Sequence, residues 1–369
     1  MVRKKDQKMF YKDYEIRTYH PDFKTQIIDL ERFLWGENAK KNKAYFEWKF
    51  ENNPYSKKII GTIGLYKGKV ISFNGFSILK WFLGDKKKFF YTISSTGVCV
   101  HVDHRRRGLH TAMVSFINKK YKKSKFKAIT KFSGNFASIA SGLKAGWVPF
   151  AKRKYLRRYN YWEFVKRKFL KKFNIESTKI QNILGKYGKI EVTQNVNPIA
   201  MANLKEKIPM NKNLIYLCQD LDFLKWRFLN PRINYIFYYI WNNNRLNGYI
   251  VVKYYNGIGA GKIVDYAYLD IRYFQKILKL LIAKRHFCRL HILDVNLNKD
   301  LVKTLYNFGF HQRDLISKFI SKKWKINEEL CFLLKPLKDE KQENHWYINN
   351  LDIRKIENWK LTEICSDDV

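Results

Sequence analysis

Acidic residues are scarce in this chain: 32 Asp and Glu stand against 72 Lys and Arg, a formal net charge of +40. Such a field repels polycations and attracts polyanions, whether nucleic acid, anionic lipid or phosphorylated small molecules. Cysteine is scarce as well. The five residues (Cys99, Cys218, Cys288, Cys331 and Cys365) are odd in number and scattered, with no C-x-x-C pair. That excludes a disulfide framework and a thiolate zinc site, and fits reduced thiols. Long apolar runs are missing, none approaching the roughly 18 residues a membrane helix needs. The start, Met1-Val2-Arg3-Lys4-Lys5, is basic with no apolar stretch behind it, so no secretory signal is expected and the cytoplasm is the expected location.

Core-forming residues are abundant. Hydrophobic residues make up 46% and aromatics 17% of 369 residues, which argues against disorder and suits two domains of ordinary size. The basic residues are spread along the whole chain, where Lys, Asn, Ile, Tyr and Phe are all frequent, so part of the charge is a matter of composition. Charge alone selects no function.

Periodicity organises the first third. Gln26 to Phe33 has helical spacing, and Ile59–Tyr66 and Lys69–Leu79 read as strands joined by the turn Lys67-Gly68. Residues 89–102 read as a long strand, with Gly97 as a candidate bulge. Leu109–Tyr121 then reads as a helix with Met113, Phe116 and Ile117 on its apolar side. A short strand, Ala128–Phe132, and a short helix, Ala137–Lys144 ending at Gly146, follow. Residues 150–173 hold ten Lys or Arg against the single acid Glu163. Aromatics recur there at spacings of three and four, which suits an amphipathic helix. The favoured reading is a strand that completes the first sheet, then a connector helix whose apolar side packs between lobes. A basic helix of this kind also leaves peripheral contact with an anionic membrane open.

The chain repeats itself weakly. Trp48-Lys49-Phe50-Glu51-Asn52-Asn53-Pro54 is echoed by Trp226-Arg227-Phe228-Leu229-Asn230-Pro231. Strand-like runs with a turn follow each, Lys67-Gly68 in the first and Asn247-Gly248 in the second. Each set ends in a helix running into glycine and an aromatic, Gly146-Trp147 and Gly309-Phe310. Three matches in the same order predict two related lobes.

The chemistry sits in Val100-His101-Val102-Asp103-His104-Arg105-Arg106-Arg107-Gly108-Leu109-His110-Thr111. A strand ends, a short basic loop containing glycine follows, and a helix begins at once. Unpaired backbone N–H groups and the helix dipole make such a start a cradle for a pyrophosphate. Arginines beside it add charge-assisted contacts. Standing alone, the loop would read equally well as a basic turn that caps a helix.

Here the sequence resembles the GNAT acyltransferases, whose signature after the fourth strand is Arg/Gln-x-x-Gly-x-Gly/Ala. Arg105 and Gly108 match, and His110 stands where the second small residue is usual, which would put a bulky side chain near the pyrophosphate. Further on, Asn135 with Ser138, then Gly146-Trp147, match the family's next segment. The resemblance implies an α/β fold: two tandem GNAT-like lobes, each a mixed, mainly antiparallel twisted sheet flanked by helices. It implies acyl-CoA as co-substrate, on Val100, Val102, Arg105, Arg106, Arg107, Gly108, Leu109, His110, Thr111, Asn135 and Ser138. A backbone N–H at Val100 or its neighbour would polarise the thioester carbonyl. An amine would then attack directly, with no covalent enzyme intermediate and no metal.

The base that deprotonates the amine is read as His101, with Asp103 and His104 behind it; a strand histidine with no chemistry is the competing reading. Cys99 reads as a small thiol on a buried strand, not as a nucleophile. Many relatives carry a Tyr acid where this chain has Leu143.

The expected layout is an acyl-CoA-binding lobe over residues 1–160 and a degenerate lobe over 161–369 that contributes to the acceptor site. In the second, Asp270-Ile271-Arg272-Tyr273 replaces the Arg-x-x-Gly loop. The length, the paired Trp signals and the tail His345–Asp352 look similar to two-lobed enzymes that acylate nucleotide-linked amino sugars for surface polysaccharides. Two other classes compete with that reading: an acyl- or aminoacyltransferase for a peptide or lysine amine, and a non-enzymatic polyanion binder on a GNAT scaffold. No specific nucleic-acid partner is expected, since the densest basic run has aromatic spacing better suited to packing than to base stacking.

Overall fold

The computed structural model describes residues 8–170, 181–183, 188–255, 259–312, 331–338 and 342–366. The first part of the chain opens with β1 (Lys8–Tyr11) and β2 (Tyr14–Thr18), then α1 (Lys24–Leu30), α2 (Arg32–Trp35) and α3 (Ala39–Phe46). The long strands β3 (Ile60–Tyr66), β4 (Lys69–Leu83) and β5 (Phe89–Val100) follow, then α4 (Leu109–Tyr121) and β6 (Phe126–Lys131). After α5 (Phe136–Lys144) come β7 (Val148–Lys152), β8 (Tyr155–Tyr159) and α6 (Tyr161–Leu170).

The second part runs β9 (Gln181–Ile183), β10 (Lys189–Thr193), α7 (Pro198–Lys207), β11 (Ile215–Leu217), α8 (Leu221–Arg227) and β12 (Asn234–Asn242). It continues through β13 (Arg245–Tyr255), β14 (Ala260–Tyr268), α9 (Ile271–Ala283), β15 (Arg289–Leu293) and α10 (Lys299–Asn307). Last come β16 (Cys331–Pro336), the small hairpin β17 (Tyr347–Ile348) with β18 (Leu351–Asp352), and β19 (Trp359–Lys360).

Two mixed sheets result. The first has the order β1-β2-β3-β4-β5-β6-β16-β7, with β11 and β19 added beyond β4; the second has the order β8-β15-β14-β13-β12-β10-β9. The two sheets exchange strands. β8, from the middle of the chain, closes the second sheet against β15, and β16, from near the end, sits between β6 and β7 of the first.

Local signals explain several helix starts. Asn38, Asn135, Asn197, Asp220 and Asn298 each cap a helix, their side chains accepting from the amide three residues on. The ends repeat too: Gly146 and Gly309 take φ of +80° and +78°, and Trp147 and Phe310 bond back five residues to carbonyls of the helix just ended. The second hairpin turns elsewhere than expected, at Asn243-Asn244, both with positive φ, while Asn247-Gly248 lies inside β13. Asparagine tolerates the left-handed region that this tight turn needs. Gly248 is small for a packing reason, since an added Cβ would lie 3.2 Å from both Ile240 and Tyr273.

Between the sheets lies a shared apolar layer in which Trp48, Trp81 and Phe132 meet Phe223, Trp226 and Tyr249. A buried ion cluster crosses the same seam. Burial by itself would raise the Glu363 carboxyl, but the ammoniums of Lys262 and Lys253 and the guanidinium of Arg153 hold it down at about 2. Residues 150–173 depart from expectation in part. β7 does join the first sheet and α6 does form, yet its Trp162 and Phe169 are 74% and 83% exposed. The aromatic spacing specified a helix, but it did not specify that Trp162 and Phe169 would be covered. Residues 171–173 of the expected segment lie outside the described residues. No helix among the described residues is long and apolar enough to cross a membrane.

Candidate functional site

The site begins where β5 parts from β6. The two strands pair in parallel only from Tyr91 to Ser94, so Ser95–Val100 runs on beyond that ladder. On its other side β5 stays paired with β4, and the amide of His101 donates to the Ile71 carbonyl at 2.8 Å. Antiparallel ladders alternate, so this bond makes Val100 and Val98 the positions whose N–H and C=O face away from β4, toward the gap. The Val100 carbonyl is accordingly available to accept from Arg105 Nε at 3.0 Å. Gly97, with φ +61°, is the extra residue of the expected bulge, lying between partners Asn74 and Gly75.

Past β5, the loop 101–108 turns the chain into α4. Arg106 and Gly108 both take positive φ, at +61° and +81°. The first intrahelical bond joins Ala112 N–H to the Gly108 carbonyl, so the amides of Leu109, His110 and Thr111 have no partner within the helix. Gly108 is required twice over. Its backbone is left-handed, and an added Cβ would lie 2.5 Å from the Tyr11 hydroxyl. Arg107 braces the loop from beneath, donating to the Asp103 carbonyl at 2.9 Å and to Tyr14 Oη at 3.3 Å.

The histidines divide. His101 stands at the rim, edge-on to Phe33 with ring centroids 4.9 Å apart and 3.5 Å from the Asp103 carboxylate. His104 faces Tyr14 Oη at 3.0 Å, and burial beside Arg107 lowers its pKa. His110 does not project toward the loop. Its Nδ1 meets Ser141 Oγ at 2.7 Å between α4 and α5, and burial pushes its pKa down to about 3. A bulky residue is accommodated there by turning the side chain inward, leaving the backbone amide at the helix start. Asn135 and Ser138 form the cap of α5, with Ser138 N–H donating to Asn135 Oδ1 at 3.0 Å. Cys99 is buried with its thiol pushed up to about 12, which removes it as a nucleophile. Leu143 is 44% exposed on α5.

One residue that the sequence reading passed over lies beside the bulge. Glu31, in the turn between α1 and α2, is 1% exposed, and a Cβ on Gly97 would lie 3.7 Å from its Oε1. Its Oε2 is buried and has no hydrogen-bond partner among the described residues. Burial raises the carboxyl to about 7, against the pull of Lys49 and Arg232. The signal was present in the helical spacing: Glu31 follows Ile27 by four positions, on the buried side of α1. Arg232 comes from the second half of the chain. It lies 5.3 Å from the Trp35 ring and 5.2 Å from the Tyr45 ring, and donates to Asn42.

No family model matches the sequence, and no curated protein is significantly similar to it. The fold is shared with solved structures. A conserved protein of Enterococcus faecalis V583, described as "Probable N-Acyltransferase", aligns over 88% of this chain and 73% of its own, with 11% identity and TM-score 0.59. A GCN5-related N-acetyltransferase from Anabaena variabilis ATCC 29413 covers the same shares with 13% identity and TM-score 0.58. A tandem GNAT protein of the clavulanic acid biosynthesis pathway aligns over 88% of this chain and 99% of its own, with 11% identity and TM-score 0.52. This chain therefore has a tandem GNAT fold, two mixed twisted sheets flanked by helices, as the sequence motif implied.

Proposed function

We propose that the protein is an acyl-CoA-dependent N-acyltransferase whose first lobe, over residues 1–160, does the chemistry. The observation that carries the reading is the continuity of three features: the open strand edge at Val98 and Val100, the glycine-turned basic loop, and the uncapped start of α4. An acyl-CoA laid along them would pair its amide arm with the strand edge. Its pyrophosphate would sit on the amides of residues 106–111, with Arg105, Arg106 and Arg107 adding charge and Val102, Asn135 and Ser138 at the sides. The Val100 amide would donate to the thioester oxygen as negative charge develops there.

The base follows from position and proton affinity. A carboxyl held near 7 is half ionised at neutral pH, strong enough to accept a proton from an ammonium on its way to the thioester. Glu31 beside the bulge meets both conditions and is our first assignment; His101, at the rim, is the second. The amine, once neutral, attacks the carbonyl carbon, and the tetrahedral adduct expels the CoA thiolate with no enzyme-bound intermediate.

For the acceptor we favour a nucleotide-linked amino sugar, with the second lobe, over residues 161–369, helping to hold it. The supports are the two-lobed length and the tail His345–Asp352. A third is the placing of Arg232 on the half-buried ring of Trp35 near Glu31, a cation and an aromatic suited to a diphosphate and a base. Release of free CoA from acetyl-CoA over a panel of nucleotide amino sugars, peptides and lysine derivatives tests both levels. Turnover with any amine supports the acyltransferase, turnover confined to nucleotide sugars supports the acceptor, and no turnover with any amine refutes the reading.

A further inference from the structure

A second cavity lies elsewhere. It holds about 610 Å³ and is lined by β14 from Asp265 to Tyr268, by α7 from Ile199 to Glu206, and by Asn298 and Lys360. Phe82, which also borders it, is ten positions along β4 from Ser72, the partner of Val100. At roughly 3.3 Å per residue this puts Phe82 about 33 Å from Ser72.

The second sheet repeats there the geometry of the first. β14 pairs in parallel with β15 only from Ala260 to Ile263, so Val264–Tyr268 runs on beyond the ladder. The Leu269 amide donates to the Asn247 carbonyl at 2.9 Å, the counterpart of His101 to Ile71. By the same alternation, Tyr266 and Tyr268 turn their N–H and C=O groups off β13, into the gap. Asn298 caps α10 beside it as Asn135 caps α5. The phosphate loop, however, is gone. Asp270 follows Leu269 directly, and its carboxylate accepts the Arg272 amide at 2.8 Å and bonds the Arg272 guanidinium. A carboxylate at that helix start repels a diphosphate.

What remains is a roomy, largely apolar chamber with an open strand edge along one wall. Two of its three acids are matched, Asp265 by Tyr249 Oη at 2.6 Å and Lys205 at 3.3 Å, and Asp220 by Lys80 at 3.8 Å; the third, Glu206, is exposed. Lys360 is different. It lines the chamber half-buried, no acid is paired with it among the described residues, and burial lowers its pKa. A buried ammonium of this kind is completed by an anion.

We infer that this chamber is a second binding site, taking an extended chain that carries secondary amides and ends in an anionic group. The amides pair with Tyr266 and Tyr268 as an added strand, and the anion meets Lys360. A short peptide with a free carboxylate and a phosphopantetheine-like arm share this chemistry. The site does not depend on the acyltransferase assignment.

Calorimetric titration of the full chain with trialanine, trialanine amide and 4′-phosphopantetheine tests it. At least one acid-bearing ligand is expected to bind, and Ala202→Trp, which fills the chamber, is expected to weaken it about tenfold or more. Lys360→Gln is expected to weaken the acids without affecting the amide. Binding of the peptide alone, of phosphopantetheine alone, or of both supports the site and names its source. A far-UV circular dichroism spectrum and thermal melt like those of the wild type report an intact fold in Ala202→Trp; should that variant not fold, Ile199→Trp replaces it. Failure of every ligand to bind at about 10 mM, or undiminished binding by the folded filled variant, overturns the inference.

Discussion

Trp48 and Trp226 stack with ring centroids 5.1 Å apart and planes 10° from parallel, and each indole N–H donates to the other's backbone carbonyl, at 2.7 and 2.6 Å. The contact is self-reciprocal, as expected where two halves of one chain meet across a pseudo-twofold axis. The residues after each Trp extend the reciprocity. Tyr55, behind Asn53-Pro54, reaches Asp220 of the second half at 3.0 Å, and Arg232, behind Asn230-Pro231, reaches Asn42 of the first. The extra residue between Trp48 and Asn53 is absorbed by a π-helical turn over Glu47–Glu51.

Each indole bond is buried, so removing one donor loses a hydrogen bond that water does not replace, although the Trp226 carbonyl keeps the Leu229 amide at 3.2 Å. Trp48→Phe and Trp226→Phe are each expected to cost about 1–3 kcal/mol, with the stack retained. The double variant should cost less than the sum if the two bonds act as one unit. Denaturant melts of the four proteins check this, and strict additivity would show the two halves to be independent at this point.

The proposed role of Glu31 as base carries a pH signature. A base with a pKa of about 7 must lose its proton to act, so kcat/KM is expected to rise with pH through neutrality. Glu31→Gln should abolish that inflection and lower kcat by about 10²–10⁴. Stability should move the other way. The folded carboxyl holds its proton to about 7 and the unfolded one to about 4.5, so native stability falls as pH rises between them. The Gln variant escapes that loss, on the order of 3 kcal/mol at pH 8. If His101→Gln erased the inflection and Glu31→Gln left it, the base would be His101.

Much of this was legible in the sequence, for local reasons. Asn caps, the Gly97 bulge, the apolar stripe of α4 and the Gly-aromatic endings are each set by residues near in sequence, and each formed where its signal stood. What was not legible depends on pairings distant along the chain. Nothing in Tyr155–Tyr159 says that it closes the second sheet, or in Cys331–Pro336 that it returns to the first. His110 was read as an intrusion because its neighbour Ser141 was not yet beside it. Glu31 was passed over because one acid on a helix is ordinary until Gly97 and Arg232 are brought against it.

The loop glycine should separate the two substrates. Gly108→Val forces a β-branched residue into left-handed φ and against Tyr11, which displaces the amides of residues 106–111. The KM for acyl-CoA is expected to rise about tenfold or more, with the acceptor KM changed little. Equal changes in both constants would point to a general loss of fold, and no change would remove the loop from the binding site.

The seam between the lobes should be sensitive to one acid. Glu363 is fully buried with Lys262 at 2.9 Å and Arg153 at 3.7 Å. Glu363→Gln would leave those cations uncompensated and is expected to cost about 3–5 kcal/mol. Its held-down pKa places the acid loss well below neutrality: the stabilisation is present above the unfolded value of 4.5 and fades as pH falls toward about 2. Thermal melts from pH 7 to pH 3 should therefore show wild type and variant converging in acid. A constant gap over that range would mean that the cluster's strength is packing, not charge.

The last expectation concerns the +40 charge. Duplex DNA should bind weakly and lose affinity steeply with salt, at about 0.9 log unit for each phosphate neutralised. Some of the cations are already engaged: Arg153, Lys205 and Lys262 pair with buried acids, and Arg107 braces its own loop. Those that remain are dispersed and would add sequence-independent attraction without a stacking platform. Fluorescence titration of a labelled duplex and a labelled single strand is expected to show no saturable binding at about 150 mM salt, where acyl transfer should persist. Sub-micromolar, structure-selective binding at that salt would instead make the protein a polyanion binder on a GNAT scaffold. The exposed Trp162 and Phe169 of α6 would then be the first residues to replace.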